Sequence, residues 1–150
     1  MPDSKPNGTI VVGVDGSANG RRALAWALEE ARLRHLSCLL VHTVEFGMAA
    51  ASPYMGTAYE ELRTAGQGVL DDELAFARQS GIPVDGRLEL GSAAHALIEA
   101  SRDAELLVVG SRGHGGFVGL LLGSVSTACV HHARCPVLIV PPSADAGENG

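Results

Sequence analysis

Lysine is almost absent from this chain of 150 residues, because Lys5 is the single example. A Walker-type phosphate loop, a Schiff-base enzyme and a response-regulator phosphorylation pocket each need a lysine at the reacting site, whereas Lys5 lies in a polar leader. The net charge of −6 also argues against a nucleic-acid partner, since phosphate contacts need clustered basic residues. The composition therefore excludes several function classes at the outset.

Long apolar runs and paired cysteines are also missing. No stretch approaches the roughly 20 apolar residues of a membrane span, and the leader has no apolar core of the kind found in signal peptides. The cysteines, Cys38, Cys129 and Cys135, are odd in number and lack CxxC spacing, which favours reduced thiols. We therefore expect a cytoplasmic protein without a membrane partner.

Short apolar runs alternate with helical patterns along the chain. Continuous apolar runs of this length are typical of strands buried on both faces, and they are found at 10–14, 38–44, 106–110 and 136–140. Segment 83–90 instead alternates apolar and polar residues, which predicts a half-exposed edge strand. Strands that alternate with helices predict an α/β fold, a parallel sheet with helices on both faces. We expect a polar leader over 1–8, one domain over 9–142 and a flexible tail over 143–150.

Several polar residues predict where the helices begin. Ser17 and Ser92 can each cap a helix, and a capping box from Thr57 to Glu60 predicts a long helix to about Ser80. The loop from Phe46 to Gly56 is rich in glycine, alanine, serine and proline. Two interpretations of that loop stay open: a lid over a ligand, or a disordered connection.

A glycine-rich turn lies between the run 106–110 and a helix predicted over 124–132. It holds six of the 19 glycines, in the segment from Gly110 to Ser124. Successive backbone N–H groups in such a turn, followed by a helix N-terminus, form a concave anion site. Arg112 supplies a local cation and His114 a proton-dependent one. A flexible surface loop is the alternative, but ligands of open parallel sheets bind beyond the carboxyl ends of the strands, where Asp15 is also expected.

From Thr9 to Pro141, the chain resembles the universal stress protein family. The resemblance is carried by Gly-x2-Gly-x9-Gly-Ser, here Gly110, Gly113, Gly123 and Ser124, and by flanking segments that include Val14-Asp15-Gly16-Ser17 and Cys135-Pro136-Val137. The spacing marks the family's ATP-binding branch. One departure is Ala93, which follows Gly91-Ser92 where the family commonly has a proline; this is expected to affect a helix start and not the nucleotide site.

The resemblance implies a five-stranded, doubly wound parallel sheet of strand order 3-2-1-4-5, similar to the adenine nucleotide α-hydrolases. It implies ATP as the ligand, with Mg²⁺ as an optional companion. Adenine and ribose would meet the first strand end and Thr43, and the glycine turn would hold the phosphates. The predicted ligand-binding residues are Gly13, Val14, Asp15, Thr43, Val109, Gly110, Arg112, Gly113, His114, Gly115, Gly123, Ser124, Val125 and Ser126.

Other conspicuous residues are expected to be structural. His131 and His132 are adjacent on a helix and point about 100° apart, so we expect a surface pair and no metal site. His42 either supports the floor of the crevice or lies structurally at a strand end, and the structural role is preferred. We expect Trp26 to be a helix packing residue and not a ligand stacker, and the acidic run 71–73 to face solvent.

The last strand predicts the assembly. Segment 137–140 would be an uncharged apolar edge, and pairing two such edges about a twofold axis would bury both. The resemblance implies the same homodimer. No residue is assigned a catalytic role, so a nucleotide-dependent regulatory module in the stress response is preferred to a slow ATPase or nucleotide hydrolase.

Overall fold

A computed structural model describes residues 7–46, 53, 55–113 and 122–143. Within these ranges the chain forms one sheet of five parallel strands in the order β3-β2-β1-β4-β5, which confirms the predicted fold. The strands are β1 (Thr9–Gly13), β2 (Ser37–Val44), β3 (Val84–Leu90), β4 (Leu106–Gly110) and β5 (Val137–Val140). The helices are α1 (Ala18–Arg34), α2 (Met55–Arg78), α3 (Ala93–Ala100) and α4 (Ser124–His132), with a 3₁₀ turn at Ser101–Asp103.

Alternate strand residues point to opposite faces of the sheet, and each face has its own core. Ile10 and Val12 of β1 pack in a cluster with apolar residues of α1 and α2. Val11 of β1 packs instead with Leu97 of α3 and Cys129 of α4. The sheet is therefore doubly wound, as predicted, and its central strands are mostly apolar because both faces are covered.

The register brings the ends of three strands together. Strand β1 lies between β2 and β4, with Gly13 opposite Val41 and Val12 opposite Val108. The segment after β1, which contains Asp15, therefore lies at the same edge of the sheet as the segment after β4. This adjacency confirms the arrangement on which the predicted crevice depended.

The helix starts agree in part with the sequence patterns. The side-chain oxygens of Ser17 and Ser92 accept hydrogen bonds from the N–H groups of Gly20 and His95, which confirms both predicted caps. Helix α2 begins at Met55, so Thr57 lies inside the helix and the predicted capping box is wrong.

The acidic run on α2 does not face solvent along its whole length. Glu73 is only 2% exposed, and both of its carboxylate oxygens accept hydrogen bonds from Arg21 of α1, at 3.0 and 3.2 Å. The guanidinium of Arg21 also lies over the Phe76 ring, 4.3 Å from its centre. The prediction of a solvated face is wrong for Glu73 because a cation from another helix compensates its burial.

Trp26, predicted to be a helix packing residue, is 49% exposed. Leu33, seven residues further along α1, is 67% exposed. Residues seven apart lie on one face of a helix. Arg22, one turn before Trp26, donates to the carbonyl of Pro141 just beyond β5, so this face of α1 flanks the edge strand.

Both predicted edges of the sheet are confirmed. Strand β3 is partly exposed and pairs only with β2 in the described sheet, and β5 pairs there only with β4. All three cysteines are free. In the described part of the chain, no helix combines the length and apolar character needed to cross a bilayer.

Candidate functional site

A cleft of about 580 Å³ opens where β1, β2 and β4 end. Its floor is formed by the strand ends, and its walls by the first turn of α1 and by the N-terminal turns of α3 and α4. The lining residues are Gly13, Val14, Asp15, Gly20, Val41, His42, Thr43, Glu45, Ala93, Leu97, Val109, Gly110, Arg112, Gly113, Gly123, Ser124, Val125 and Ser126.

The cleft brings together most of the residues predicted from the sequence. Every predicted ligand-binding residue in the described ranges lines it. His114 and Gly115 lie outside the described residues, as does most of the loop from Phe46 to Gly56. The roles assigned to these segments therefore stay predictions.

Asp15 lies in a tight turn between β1 and α1. Its Oδ1 accepts hydrogen bonds from the N–H of Ser17 at 2.9 Å and from the Ser17 hydroxyl at 2.5 Å. Gly16 takes a positive φ of 79°, a conformation that favours glycine. A Cβ on Gly20 would lie 2.5 Å from Oδ1 of Asp15, so this helix position must be glycine for the carboxylate to sit there.

The glycines of the turn after β4 are needed for close approach. The backbone conformation does not require glycine at these positions, because none of the three residues, Gly110, Gly113 and Gly123, has a positive φ. A Cβ on Gly113 would lie 2.7 Å from Oδ2 of Asp15, and a Cβ on Gly110 would lie 3.0 Å from the side chain of Asn19. Gly113 therefore lets the turn lie directly against Asp15, and Gly110 lets it lie against the first turn of α1.

Asn19 connects three segments and was not identified from the sequence. Its Nδ2 donates to the carbonyl of Val140 at 2.9 Å, and its Oδ1 accepts from the N–H of Arg112 at 3.0 Å. The Ser111 hydroxyl lies 3.4 Å from the same oxygen. One amide side chain thus fixes the end of β5 and the turn after β4 relative to α1. The sequence signal that could have identified Asn19 is its position in the first turn of the helix that Ser17 caps.

The start of α4 presents backbone donors to the cleft. Its N-cap is Gly123, which has no side-chain oxygen to cover the first N–H groups. Ser126 is buried, and its hydroxyl lies 2.9 Å from the carbonyl of Ser111, to which it donates. The Ser126 hydroxyl therefore holds α4 against the end of β4, whereas Ser124 is exposed and lines the cleft.

The opposite wall carries a carboxylate that sequence reasoning missed. Oε1 of Glu45, just after β2, accepts a hydrogen bond from the N–H of Ala93 at 2.9 Å. Ala93 is the first residue of α3 and lines the cleft. Proline has no N–H, so the alanine at this position supplies the donor that binds Glu45.

His42 is fixed by the backbone of the neighbouring segment. Its Nδ1 lies 2.8 Å from the carbonyl oxygen of Val14, and a carbonyl can only accept, so Nδ1 carries the proton. This bond joins the end of β2 to the turn after β1, and it agrees with the structural role predicted for His42.

The cleft has two chemically different ends. At the β4 end lie Arg112 and the N-terminus of α4, both of which favour a negative charge. At the β2 end lies Glu45, which favours a hydrogen-bond donor. Among the described residues no group of three histidine, cysteine or acidic side chains is placed to hold a metal ion.

Comparisons with known proteins give consistent results. The model of the universal stress protein family matches residues 6–141. A universal stress protein of Mycolicibacterium smegmatis is 35% identical over 136 residues, which is 89% of this chain and 45% of that protein. The chain thus spans about half the length of the curated relatives it matches.

Solved structures share the fold. UspA from Lactobacillus plantarum is 21% identical with a TM-score of 0.79, and the match covers 91% of this chain and 99% of that one. A universal stress protein solved in complex with cAMP is 28% identical with a TM-score of 0.69, covering 91% and 98% of the two chains. The family match over residues 6–141 and the shared fold establish that this chain belongs to the universal stress protein family.

Proposed function

We propose that the chain binds an adenine nucleotide, ATP in particular, in the cleft at the ends of β1, β2 and β4. The observation that carries the proposal is the joining of the glycine turn, Arg112 and the uncapped start of α4 in one cleft of about 580 Å³. Clefts of this size and position are typical of small-ligand sites in open α/β sheets. The relative solved with cAMP supports an adenine ligand.

The phosphates belong at the β4 end of the cleft. Backbone N–H groups at the start of α4 point away from the helix and provide partial positive charge. Arg112 adds a full positive charge beside them. The spacing of Gly110, Gly113, Gly123 and Ser124 resembles that of the family's ATP-binding branch, which supports ATP as the ligand.

The sugar and base belong over β1 and β2. The carboxylate of Asp15 and the backbone of Gly13 lie between the two ends of the cleft, where ribose hydroxyls could donate. Thr43 lies one strand further from the phosphate end. Adjacent strands are about 4.8 Å apart, so β2 lies about 10 Å from β4, which suits an extended nucleotide.

Nucleotide-dependent regulation is the preferred use of this site, in the cytoplasm and under stress. Turnover would need a positioned water, a general base and Mg²⁺ beside the phosphates. In the described part of the cleft the histidine, His42, is bonded to Val14, Glu45 lies at the β2 end, and Oδ1 of Asp15 accepts from Ser17. Mg²⁺ would then be held mainly by phosphate oxygens, water and Asp15. Slow hydrolysis is the alternative function.

The chain is further proposed to form a homodimer through β5. This strand is an apolar edge, and on one side its backbone N–H and C=O groups are not paired within the described sheet. Such an edge can pair with a strand of another chain. The exposed face of α1 with Trp26 and Leu33 lies beside it and extends the apolar surface. A second copy related by a twofold axis would cover both features at once.

Two measurements test the ligand. Freshly purified protein is denatured and the released small molecules are separated by chromatography, and emptied protein is then titrated with ATP, AMP and cAMP by calorimetry. Release of an adenine nucleotide and saturable ATP binding are expected. Release of FAD, or no heat with any adenine nucleotide, would contradict the proposal.

Incubation of the pure protein with ATP and Mg²⁺ tests turnover, and rapid ADP release that Asp15→Ala abolishes would favour the hydrolase.

A further inference from the structure

The wall of the cleft opposite the phosphate end has one anchored carboxylate. Glu45 follows β2 and reaches the first residue of α3, where its Oε1 accepts from the N–H of Ala93 at 2.9 Å. Both residues line the cleft. A carboxylate has about four lone-pair positions, so one bond to Ala93 leaves Glu45 able to accept further hydrogen bonds.

Charge fixes which part of a nucleotide meets this carboxylate. Phosphates are repelled by Glu45 and attracted by Arg112 and the start of α4, on the other side of β1. The base is the part of a nucleotide that lies farthest from its phosphates. Glu45 therefore faces the base. As a carboxylate, it can only accept hydrogen bonds, so the base must offer an N–H donor.

We propose that Glu45 selects a base with an exocyclic amine, and that the Ala93 N–H positions it for this. The inference rests on the proposed nucleotide function and adds the residue that determines base preference. Adenine donates through its amine at C6 and can give a charge-assisted hydrogen bond to the free lone pairs of Glu45. A purine without that amine has no donor there and leaves the carboxylate without this bond.

The anchoring bond depends on a residue at which proline would be tolerated. Ala93 is the first residue of α3, a position where proline is common because its missing N–H has no helical partner. Ser92 before it is extended, with φ −76° and ψ 125°, as a residue before proline must be. Ala93→Pro is therefore expected to keep the helix while removing only the donor to Glu45.

The test compares ATP with purine riboside 5′-triphosphate, which lacks only the exocyclic amine. In calorimetric titrations of the wild-type chain, ATP is expected to bind about tenfold more tightly than the analogue, in keeping with one hydrogen bond to a charged group. In Glu45→Ala this ratio should fall to within about twofold, and in Ala93→Pro it should fall to an intermediate value. Glu99→Ala is the matched control, because it removes an exposed carboxylate at the other end of α3 and should keep the ratio.

The outcomes separate this inference from the proposed function. A wild-type chain that binds both ligands equally, or a ratio that Glu45→Ala leaves unchanged, would overturn the role of Glu45 while nucleotide binding stands. An unchanged ratio in a folded Ala93→Pro variant would overturn the positioning role of Ala93. Absence of binding for both triphosphates in the wild-type chain would overturn the inference together with the proposed function.

Discussion

The backbone N–H of Arg112 donates to Oδ1 of Asn19 across 3.0 Å, and this bond ties the turn after β4 to the first turn of α1. The same side chain donates from Nδ2 to the carbonyl of Val140 at the end of β5. The phosphate end of the cleft is thus held in place by a residue that belongs to neither the glycine turn nor α4. Its geometry depends on this amide as much as on the glycines.

Replacement of Asn19 should loosen the cleft and the fold together. Asn19→Ala leaves the Arg112 N–H without its acceptor and removes one of the two donors to the Val140 carbonyl, which keeps the N–H of Ser111. The free energy of unfolding is expected to fall by about 1–3 kcal/mol. ATP affinity should fall as well, because the turn is no longer fixed. Urea unfolding and calorimetry measure the two effects. An unchanged ATP affinity in a folded Asn19→Ala variant would contradict this role.

A methyl group at Gly113 should interfere with the cleft. Its Cβ would lie 2.7 Å from Oδ2 of Asp15, so either the carboxylate or the turn must move. Gly113→Ala is expected to weaken ATP binding by about tenfold or more, equivalent to about 1.4 kcal/mol, with little change in the far-ultraviolet spectrum. Gly68→Ala is the control, since nothing lies within 4 Å of its Cβ and alanine favours the helix. Equal ATP affinity in the two variants would argue against the proposed contact.

A second glycine tests the start of α4 without a clash inside the protein. A Cβ on Gly123 would lie 3.5 Å from the carbonyl of Ser111, an ordinary contact, and the φ of −79° suits any residue. Gly123→Val should therefore fold normally but place a branched side chain where phosphates are expected. Loss of ATP binding with an unchanged unfolding midpoint is the expected result, and wild-type affinity would place the phosphates elsewhere.

Buried thiols make the stability depend on pH. Burial raises the pKa of Cys38 to about 12 and that of Cys129 to about 11, while an unfolded thiol has an ordinary value near 9. The native state keeps these protons when the unfolded state has lost them, so the stabilising effect is complete below pH 9 and declines as pH rises toward 11 to 12.

Urea unfolding at pH 8 and pH 10 measures this effect. A loss of about 1 kcal/mol per buried thiol is expected between these values. The Cys38→Ala variant is expected to be less stable at both pH values. Between pH 8 and pH 10, however, its free energy of unfolding should fall by less than that of the wild-type chain. An equal loss in both proteins would show that ionisation of Cys38 does not contribute.

The single tryptophan reports on the proposed dimer. Trp26 is 49% exposed beside β5, so association through this edge should bury it further. Its fluorescence is expected to shift toward shorter wavelength as the protein concentration rises, in parallel with sedimentation of a dimer. Ile139→Asp places a charge on the edge strand and should abolish both changes. A monomer at every concentration, or a dimer unaffected by this substitution, would contradict assembly through β5.

Much of the fold was predictable because continuous apolar runs and serine caps are local signals. The strands of the central sheet and the start of α3 at Ser92 depend on neighbouring residues in the sequence. Glu73 was misassigned because its partner Arg21 is 52 residues away, on a different helix. The exposure of Trp26 likewise depends on β5 being the last strand of the sheet. The apolar spacing along α1 gives no information about the position of that strand.

The site was predictable where spacing carries the signal. The glycine turn, Asp15 and Thr43 were all identified, and the cleft brings them together. Asn19 and Glu45 were missed because their bonds span 121 and 48 residues and end on backbone atoms. A sequence pattern cannot identify a backbone atom as a hydrogen-bond partner. The roles of Asn19 and Glu45 are therefore visible only in the folded chain.

Nucleotide binding in the cleft can be tested by titrating isotope-labelled wild-type protein with ATP and following the backbone amides by NMR. Nucleotide binding in the cleft predicts saturable shifts concentrated at Gly13, Gly110, Ser124 and Val125, with little change at Gly68 on the outer face of α2. An absence of shifts, or shifts confined to residues outside the cleft, would contradict it.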